Sequence, residues 1–395
     1  MERLSVPQGE FDLDRHPIVA NDPLRAWDAA DGYLLRHLAG RVGGEGGDAA
    51  QAGPTVDLGR TVLIVNDAFG ALSTALAEHG PWTMSDSYLA QLAGRHNLRQ
   101  NGTADAGGRW LTDLDPPPGV IDALLIKVPK SLALLEDQLH RIRPGLHADT
   151  IIIGAAMAKH IHSSTLELFE RIIGPTRTSP ADKKARLIFA TPDLDLRPTP
   201  SPWPRSFSCP PGDHQVISHA GVFSGERLDV GTRFFLETLP KGSGAEHVID
   251  LGCGNGVVGM MSAVRNPRAE VTFIDESYRA VASAEATFRA NLTDDRPARF
   301  VVGNNLADLA EGEPLAAGSV DRVLNNPPFH VDRAIGDAVA WQMFVESREA
   351  LRDDGELWVI GNRHLGYHAK LRRIFGNCDT IASNAKFVVL RSTRA

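Results

Sequence analysis

Unbroken apolar runs of about strand length recur along this chain, separated by longer segments in which apolar residues return every third or fourth position. In the second half the runs predict strands at Val248–Leu251, Val271–Ile274, Phe300–Val302, Val320–Leu324, Glu356–Gly361 and Lys386–Leu390. The intervening periodicity predicts helices such as Val257–Val264, Ser277–Leu292 and Ala338–Leu351. Short strands alternating with helical segments are the signature of α/β folds built on parallel sheets. The first half has the same alternation. Between the halves, the stretch from Thr191 to Gly212 (TPDLDLRPTPSPWPRSFSCPPG) breaks all periodicity and reads as an interdomain linker. The expected organisation is one α/β domain over 1–195, a linker over 196–211 and a second α/β domain over 212–395. A second weak region, rich in Gly and Ala, runs from Gly40 to Gly59 and reads as a surface loop.

The two halves read as copies. Val62-Leu63-Ile64-Val65-Asn66-Asp67-Ala68-Phe69-Gly70 stands where Val248-Ile249-Asp250-Leu251-Gly252-Cys253-Gly254-Asn255-Gly256 stands later. Met84-Ser85-Asp86-Ser87-Tyr88 parallels Ile274-Asp275-Glu276-Ser277-Tyr278, and each precedes a helix ending near an Asn-Leu pair, Asn97-Leu98 or Asn291-Leu292. Leu124 to Lys130 then falls where Val323 to Phe329 falls, which sets Lys127-Val128-Pro129-Lys130 against Asn326-Pro327-Pro328-Phe329.

The second copy carries the candidate chemistry. Asp250 closes an apolar strand, and Gly252, Gly254 and Gly256, with Asn255 among them, lead into an apolar helix. Small residues at such a turn let backbone approach a nucleotide-like ligand. The spacing DxGxGxG departs from the dinucleotide pattern GxGxxG, and an acid ends the next strand. Asp275 is placed to accept from both ribose hydroxyls, with Glu276 as its competitor; Asn304, after the third strand, is the candidate near an adenine. Phe223, in Gly221-Val222-Phe223-Ser224, and the segment Leu228-Asp229-Val230-Gly231-Thr232 are candidates to cover the far end of the ligand. Phe223 is equally readable as a plain core residue.

The second motif is Asn325-Asn326-Pro327-Pro328-Phe329-His330. An exocyclic amine conjugated to a ring is a poor nucleophile because its lone pair is delocalised. Two acceptors gripping its two N–H bonds would turn that lone pair toward an electrophile, and no strong base is needed. Asn326 offers a side-chain carbonyl, the Pro327 backbone carbonyl can be the second acceptor, and Pro327 and Pro328 stiffen the loop. Phe329 offers a ring face on which a base taken out of its helix could stack. Both motifs, in this order, resemble a class I S-adenosylmethionine-dependent methyltransferase acting on nitrogen conjugated to a planar system.

The first copy lacks these features: its turn keeps only Gly70, so Asp67, Ala68 and Phe69 put side chains where the cofactor would lie. It is expected to be non-catalytic and to serve substrate binding or support of its partner. Lys127, Lys130, Arg141, Arg143, Lys183, Lys184 and Arg186 are its candidates for a phosphate-facing surface.

Charge and composition narrow the picture further. Of 395 residues, 43% are hydrophobic and the formal net charge is −8, so bulk charge will not gather nucleic acid. No apolar run approaches a membrane span, and the N-terminal residues lack a signal-peptide core, which predicts a cytoplasmic protein. Cys209, Cys253 and Cys378 are far apart without metal-ligand spacing; they read as reduced thiols, and no metal is expected.

The glycine turn and Asn-Pro-Pro-Phe motif, joined to a degenerate first copy, are similar to the bacterial tandem-domain ribosomal RNA guanine-N2 methyltransferases. Segments such as Asn66 to Leu72, Leu125 to Lys130, Ser164 to Glu170, Gly361 to Leu365 and Ile374 to Cys378 resemble the large-subunit, 23S rRNA branch. The resemblance implies two tandem class I Rossmann-like methyltransferase domains, S-adenosyl-L-methionine as methyl donor, and N2-methylation of one guanosine in 23S rRNA. It implies a monomer working on protein-free rRNA or an early assembly intermediate, with Arg363, His364, Lys370, Arg372 and Arg373 as further candidates for the RNA surface. The alternatives left open are the 16S rRNA guanine-N2 enzymes, adenine-N6 DNA or release-factor glutamine methyltransferases, and a non-enzymatic assembly role.

Overall fold

The computed structural model describes residues 3–18, 24–42, 51–103, 108–210, 212–242, 244–310, 315–328 and 333–395. It divides into two compact units, Met1–Pro202 and Trp203–Ala395. In the first unit, helix α1 (Ala29–Leu38) precedes a sheet of β1 (Val62–Val65), β2 (Trp82–Ser85), β3 (Arg109–Thr112), β4 (Ile121–Lys127), β5 (Leu146–Met157), β6 (Thr176–Thr178) and β7 (Ala185–Ala190). Helices α2 (Ala71–Ala75), α3 (Tyr88–Gln100), α4 (Leu132–Ile142) and α5 (Ser163–Ile172) connect them. The spatial order is β3-β2-β1-β4-β5-β7-β6, parallel except for β7, which runs antiparallel to both neighbours.

The second unit repeats this. Helix α6 (Val230–Thr238) precedes β8 (His247–Leu251), β9 (Glu270–Asp275), β10 (Ala298–Val302), β11 (Val320–Asn325), β12 (Leu351–Asn362), β13 (Asp379–Ser383) and β14 (Phe387–Thr393). Helices α7 (Val257–Arg265), α8 (Tyr278–Asn291), α9 (Arg333–Ala350) and α10 (Tyr367–Phe375) complete it. The order β10-β9-β8-β11-β12-β14-β13 is that of the first sheet, strand for strand. Each central strand is apolar on both faces because helices cover both. Val62 and Ile64 pack into one core and Leu63 and Val65 into the other, as Val248 and then Ile249 and Leu251 do later.

The duplication extends beyond the sheets. Each unit has a hairpin before α1 or α6, Leu4–Val6 with Gly9–Phe11 and Arg205–Cys209 with His214–Ser218. In each, the chain leaving or returning through the hairpin is gripped by polar side chains of the helix after the second strand. Asn101 exchanges two hydrogen bonds with the Asp12 backbone (3.0 and 2.8 Å), and Asn291 does so with Gln215 (2.8 and 2.7 Å). One turn earlier, Asn97 serves Asp14 and Thr287 serves Ile217. The counterpart of Asn291 is therefore Asn101, and the sequence pairing with Asn97 is out by one helical turn.

Two further expectations change. The stretch read as linker contains the strand Arg205–Cys209, whose Phe207 and Cys209 pack into the second unit's core while Ser206 and Ser208 face out. The flanking prolines hide this alternation. The Gly40–Gly59 region contains a short strand pair, Arg41–Val42 with Gln51–Ala52; residues 43–50 lie outside the described residues.

Gly70 and Gly256, the left-handed N-caps of α2 and α7, explain the one glycine both turns keep. A Cβ on Gly70 would come within 2.5 Å of the Gly94 Cα, and one on Gly256 within 2.6 Å of the Ala284 Cα. The third glycine thus serves helix packing, apart from any ligand. Gly70→Ala is expected to destabilise the chain by about 2–4 kcal/mol, from left-handed strain plus backbone overpacking, read from the midpoint of urea unfolding. An unchanged midpoint would contradict this packing role.

Candidate active site

Parallel register sets four strand ends on one edge of the second sheet. Leu251, the last residue of β8, lies opposite Ile274 of β9 and Asn325 of β11, and Asp275 lies opposite Val302 of β10. The glycine turn, the acid, the segment after β10 and the Asn-Pro-Pro motif must therefore emerge side by side.

The turn is tied to β9 by the Gly252 and Cys253 amides, which donate to the Ile274 carbonyl at 2.8 and 3.0 Å. Gly254 donates to Asp275 Oδ2 at 2.9 Å, and Ser277, the N-cap of α8, donates to Asp275 Oδ1 at 3.0 Å. The Glu276 amide is a third backbone donor to this carboxylate. Burial pushes the Asp275 carboxyl up from its ordinary value, against these backbone N–H groups. Glu276 follows the strand end, half-buried beside it.

Gly254 has φ +53°, and a Cβ there would meet nothing within 4 Å. Here the missing side chain leaves open space, unlike at Gly256. Open room, a backbone turn and an adjacent carboxylate fit a nucleoside-type cofactor. Asp250, the other acid expected at the cofactor site, is tied to the helix after the turn. Its Oδ2 accepts from the Gly259 amide of α7 at 2.7 Å, and burial pushes its carboxyl up to about 8, with the Asp275 charge adding to the rise. What Asp250 touches is the α7 backbone beneath the turn. Asn255 is buried too, its Nδ2 donating to Ser218 Oγ at 3.3 Å. Burial also holds the Cys253 thiol protonated.

Asn304 lies two residues beyond β10, half-buried, its amide bonded to the Asp308 carbonyl at 2.8 Å. Phe223 is 49% exposed, so the plain core reading fails.

At the end of β11, Asn325 is fully buried and donates Nδ2 to the Leu251 carbonyl at 2.8 Å, locking β11 to β8. Asn326 is half-buried and donates Nδ2 to Thr232 Oγ1 at 3.3 Å. Both side-chain carbonyls, Asn325 Oδ1 and Asn326 Oδ1, are buried without a hydrogen-bond partner among the described residues. Pro327 is buried and Pro328 exposed. The stacking role expected of Phe329, and His330 beside it, lie outside the described residues. Thr232 and the lock made by Asn325 were not singled out from sequence, although Thr232 sits in the Leu228 to Thr232 segment noticed there.

The first unit fills the same edge with its own side chains. Asn66, with φ +62°, stands in the place of Gly252 and pairs through its amide with Gln138 (2.9 and 2.8 Å), which also reaches Asp113 at 2.6 Å. Asp67 is buried and accepts from the amide and hydroxyl of Ser73 at 2.8 and 2.9 Å. Lys127, at the position of Asn326, is locked to Asp28 at 2.8 Å and Asp31 at 2.6 Å. Burial pushes Asp31 up to about 6, with Lys127 opposing the rise, while the two acids hold Lys127 above its ordinary value despite burial.

Lys127 therefore leaves the expected phosphate surface. So do Arg141, which donates to the Leu114 carbonyl at 2.6 Å, and Arg143, which donates to the carbonyls of Ile172, Asp193 and Leu196. Lys130, Lys183, Lys184 and Arg186 remain exposed. In the second unit Lys370 pairs with Asp337 at 2.6 Å and Arg373 stacks over Trp341, so these two are partly engaged within the fold.

Residues 1–194 match the family model described as the RLMG N-terminal domain, and residues 213–391 match the methyltransferase small domain. A Streptomyces avermitilis protein named ribosomal RNA large subunit methyltransferase G is 56% identical over 99% of both chains. A Stutzerimonas stutzeri protein of the same name is 46% identical over 100% of both. The chain belongs to the ribosomal RNA large subunit methyltransferase G family. Its fold also matches a solved structure, the T. thermophilus 16S rRNA N2 G1207 methyltransferase in complex with AdoMet and guanosine. That match has a TM-score of 0.73 and 19% identity, covering 100% of this chain and 98% of the other. Two tandem methyltransferase-type domains, expected from sequence, are thus the architecture of this family member.

In this methyltransferase the Asp250 carboxyl gives a pH signature. Its folded value of about 8 stands above the ordinary 3.8, so between those values the folded chain binds more protons than the unfolded one. Its contribution to folding must fall as pH rises through that window. The unfolding free energy of the wild type minus that of Asp250→Asn, from urea melts of cofactor-free protein at pH 5, 6.5 and 8, should decline by roughly 1 kcal/mol per unit. A flat difference would mean that the folded carboxyl is ionised throughout.

Proposed function

We propose that this chain transfers a methyl group from S-adenosyl-L-methionine to the exocyclic N2 of a single guanosine in 23S rRNA, with the second unit carrying the reaction. The observation that carries this reading is Asn326, whose carbonyl is left without a partner at the end of β11, beside a glycine turn with open space at Gly254. The family to which the chain belongs supplies the large-subunit RNA.

Asp275 or Glu276 would hold the ribose hydroxyls, the turn Gly252 to Gly256 would approach the cofactor through backbone, Asn304 would lie near the adenine, and Phe223 would cover the methionine end. The bound cofactor supplies a methyl group on a sulfonium, an electrophile that needs no metal. Asn326 Oδ1 and the Pro327 carbonyl accept the two N–H bonds of the guanine amine. The lone pair is thereby drawn out of conjugation and faces the methyl group. As the N–C bond forms, the S–C bond would break with its electron pair left on sulfur as a neutral thioether, and the nitrogen, acidic once alkylated, would release one proton past its accepting carbonyl to water without a strong base. Rate enhancement then comes from positioning and preorganised acceptors. In duplex RNA one N–H pairs with cytosine, so the target guanosine must be unpaired or flipped, with Phe329 as its stacking surface.

In this reading the first unit binds RNA or supports the second, its exposed Lys130, Lys183, Lys184 and Arg186 facing phosphate. The working form is a cytoplasmic monomer acting on protein-free 23S rRNA or an early assembly intermediate.

Deletion of the gene should remove one N2-methylguanosine from 23S rRNA and leave 16S rRNA unchanged by mass spectrometry; loss of a 16S mark, or of none, would refute the substrate. Asn326→Ala should abolish methyl transfer while cofactor affinity stays within a few fold. Equal losses of both would move Asn326 from the amine to the cofactor. Calorimetry on the full chain should give one cofactor site, because Asn66, Asp67 and the Lys127 cluster occupy the other edge; two sites would overturn the degenerate-copy reading.

A further inference from the structure

An asparagine that grips an amine through its carbonyl must present that oxygen and not its NH₂. The torsion that decides this is broad and nearly two-fold, so an unanchored carboxamide spreads over orientations that include the wrong face. Asn326 is anchored at one atom. Its Nδ2 donates to Thr232 Oγ1 at 3.3 Å, and this bond leaves Oδ1 as the acceptor without a partner. Thr232 is itself well placed to anchor: it is buried in the first turn of α6, and its backbone N–H donates to the Asp229 cap at 3.2 Å.

The first unit makes the same connection with other chemistry. Asp28 caps α1 as Asp229 caps α6, and Asp31 stands three residues on as Thr232 does. Asp31 reaches Lys127, the counterpart of Asn326, at 2.6 Å. In both copies the first turn of the helix before the sheet therefore clasps the same position at the end of the fourth strand, Lys127 in one and Asn326 in the other. In the first copy the clasp uses both partners fully; in the second it holds one end of an amide and leaves the other available.

We infer that Thr232 is a positioning residue that sets the carboxamide of Asn326 with its oxygen toward the substrate amine. This rests on the reading of Asn326 given above. The test uses full-length protein, S-adenosylmethionine and 23S rRNA from the deletion strain. Thr232→Val keeps the shape and replaces the hydroxyl with a methyl group; Thr232→Ser keeps the hydroxyl. We expect valine to lower kcat at least tenfold, with cofactor Kd within threefold and the melting temperature within a few degrees, and serine to retain kcat within threefold. Thr232→Ala takes valine's place if the valine chain does not fold. Valine retaining kcat within threefold, serine failing as badly as valine, or kcat, cofactor Kd and melting temperature falling together would each overturn the inference. Asn326→Ala, run alongside, separates the two claims. If it retains turnover, the reading of Asn326 itself has failed; if it is inactive while valine is active, only the role of Thr232 has.

Discussion

The functional edge depends on the register of one strand. Leu251 stands opposite Ile274 on one side and Asn325 on the other, and the Asn325 side chain reaches back to the Leu251 carbonyl at 2.8 Å. A parallel sheet lets chain leave all its strands at the same edge, so fixing this register fixes which loops can meet. A shift of one residue in β8 would turn each of its side chains to the opposite face and take Asp250 away from the Gly259 amide it accepts from. The apolar runs on both faces of β8 and β1 make such a shift costly, since each fully buried aliphatic side chain contributes about 1.5–3 kcal/mol. The core thus holds the chemistry in place even though none of its side chains takes part.

The same frame, used twice, shows how little separates a site from a sealed edge. Both copies keep the third turn glycine, because backbone of the next helix passes within contact distance of it. Both keep the hairpin grip by Asn101 or Asn291. They diverge where a ligand would enter. Asn66 replaces a glycine and satisfies its amide on Gln138, Asp67 is satisfied on Ser73, and Lys127 is satisfied on two carboxylates. Burying a lysine with acids costs desolvation that only close pairing offsets, and Asp31 shows the strain as a carboxyl pushed up to about 6. Polar groups that find every partner inside the chain have nothing left for a ligand. In the second copy Gly252 and Gly254 offer no side chain, and Asn325 and Asn326 each retain an acceptor.

Much of this was readable in the sequence for physical reasons, and the misses have physical reasons too. The glycine turn, the acid after β9 and the Asn-Pro-Pro motif are local, so their chemistry sits in adjacent residues. The central strands were readable because burial on both faces leaves unbroken apolar runs. Strand β13 was missed because Asp379-Thr380-Ile381-Ala382-Ser383 lies at the sheet edge and exposes most of its length. The strand Arg205–Cys209 was masked by the prolines around it. Lys127 looked like a surface cation because its partners, Asp28 and Asp31, lie far away in sequence. Arg143 misled in the same way, since a guanidinium that caps backbone carbonyls reads like one that faces solvent. Thr232 could not be tied to Asn326 before the sheet register brought α6 against the end of β11.

The unpartnered carbonyl of Asn326 bears on how such an edge speeds a reaction. A buried acceptor without a donor costs about 1–3 kcal/mol in the ground state, and native structures hold few of them. The first copy has no such acceptor: a lysine stands at this position, paired with two carboxylates of the chain. On the proposed reading, leaving the Asn326 acceptor unfilled would keep an oriented dipole ready for the amine, so that little reorganisation is needed when charge develops on the nitrogen. An interaction formed more strongly with that developing charge than with the resting amine lowers the barrier, whereas one formed equally with both only tightens binding. On the proposed reading, the resting cost at Asn326 and its use in the reaction would have one physical origin, an acceptor held in a position where the described residues do not satisfy it.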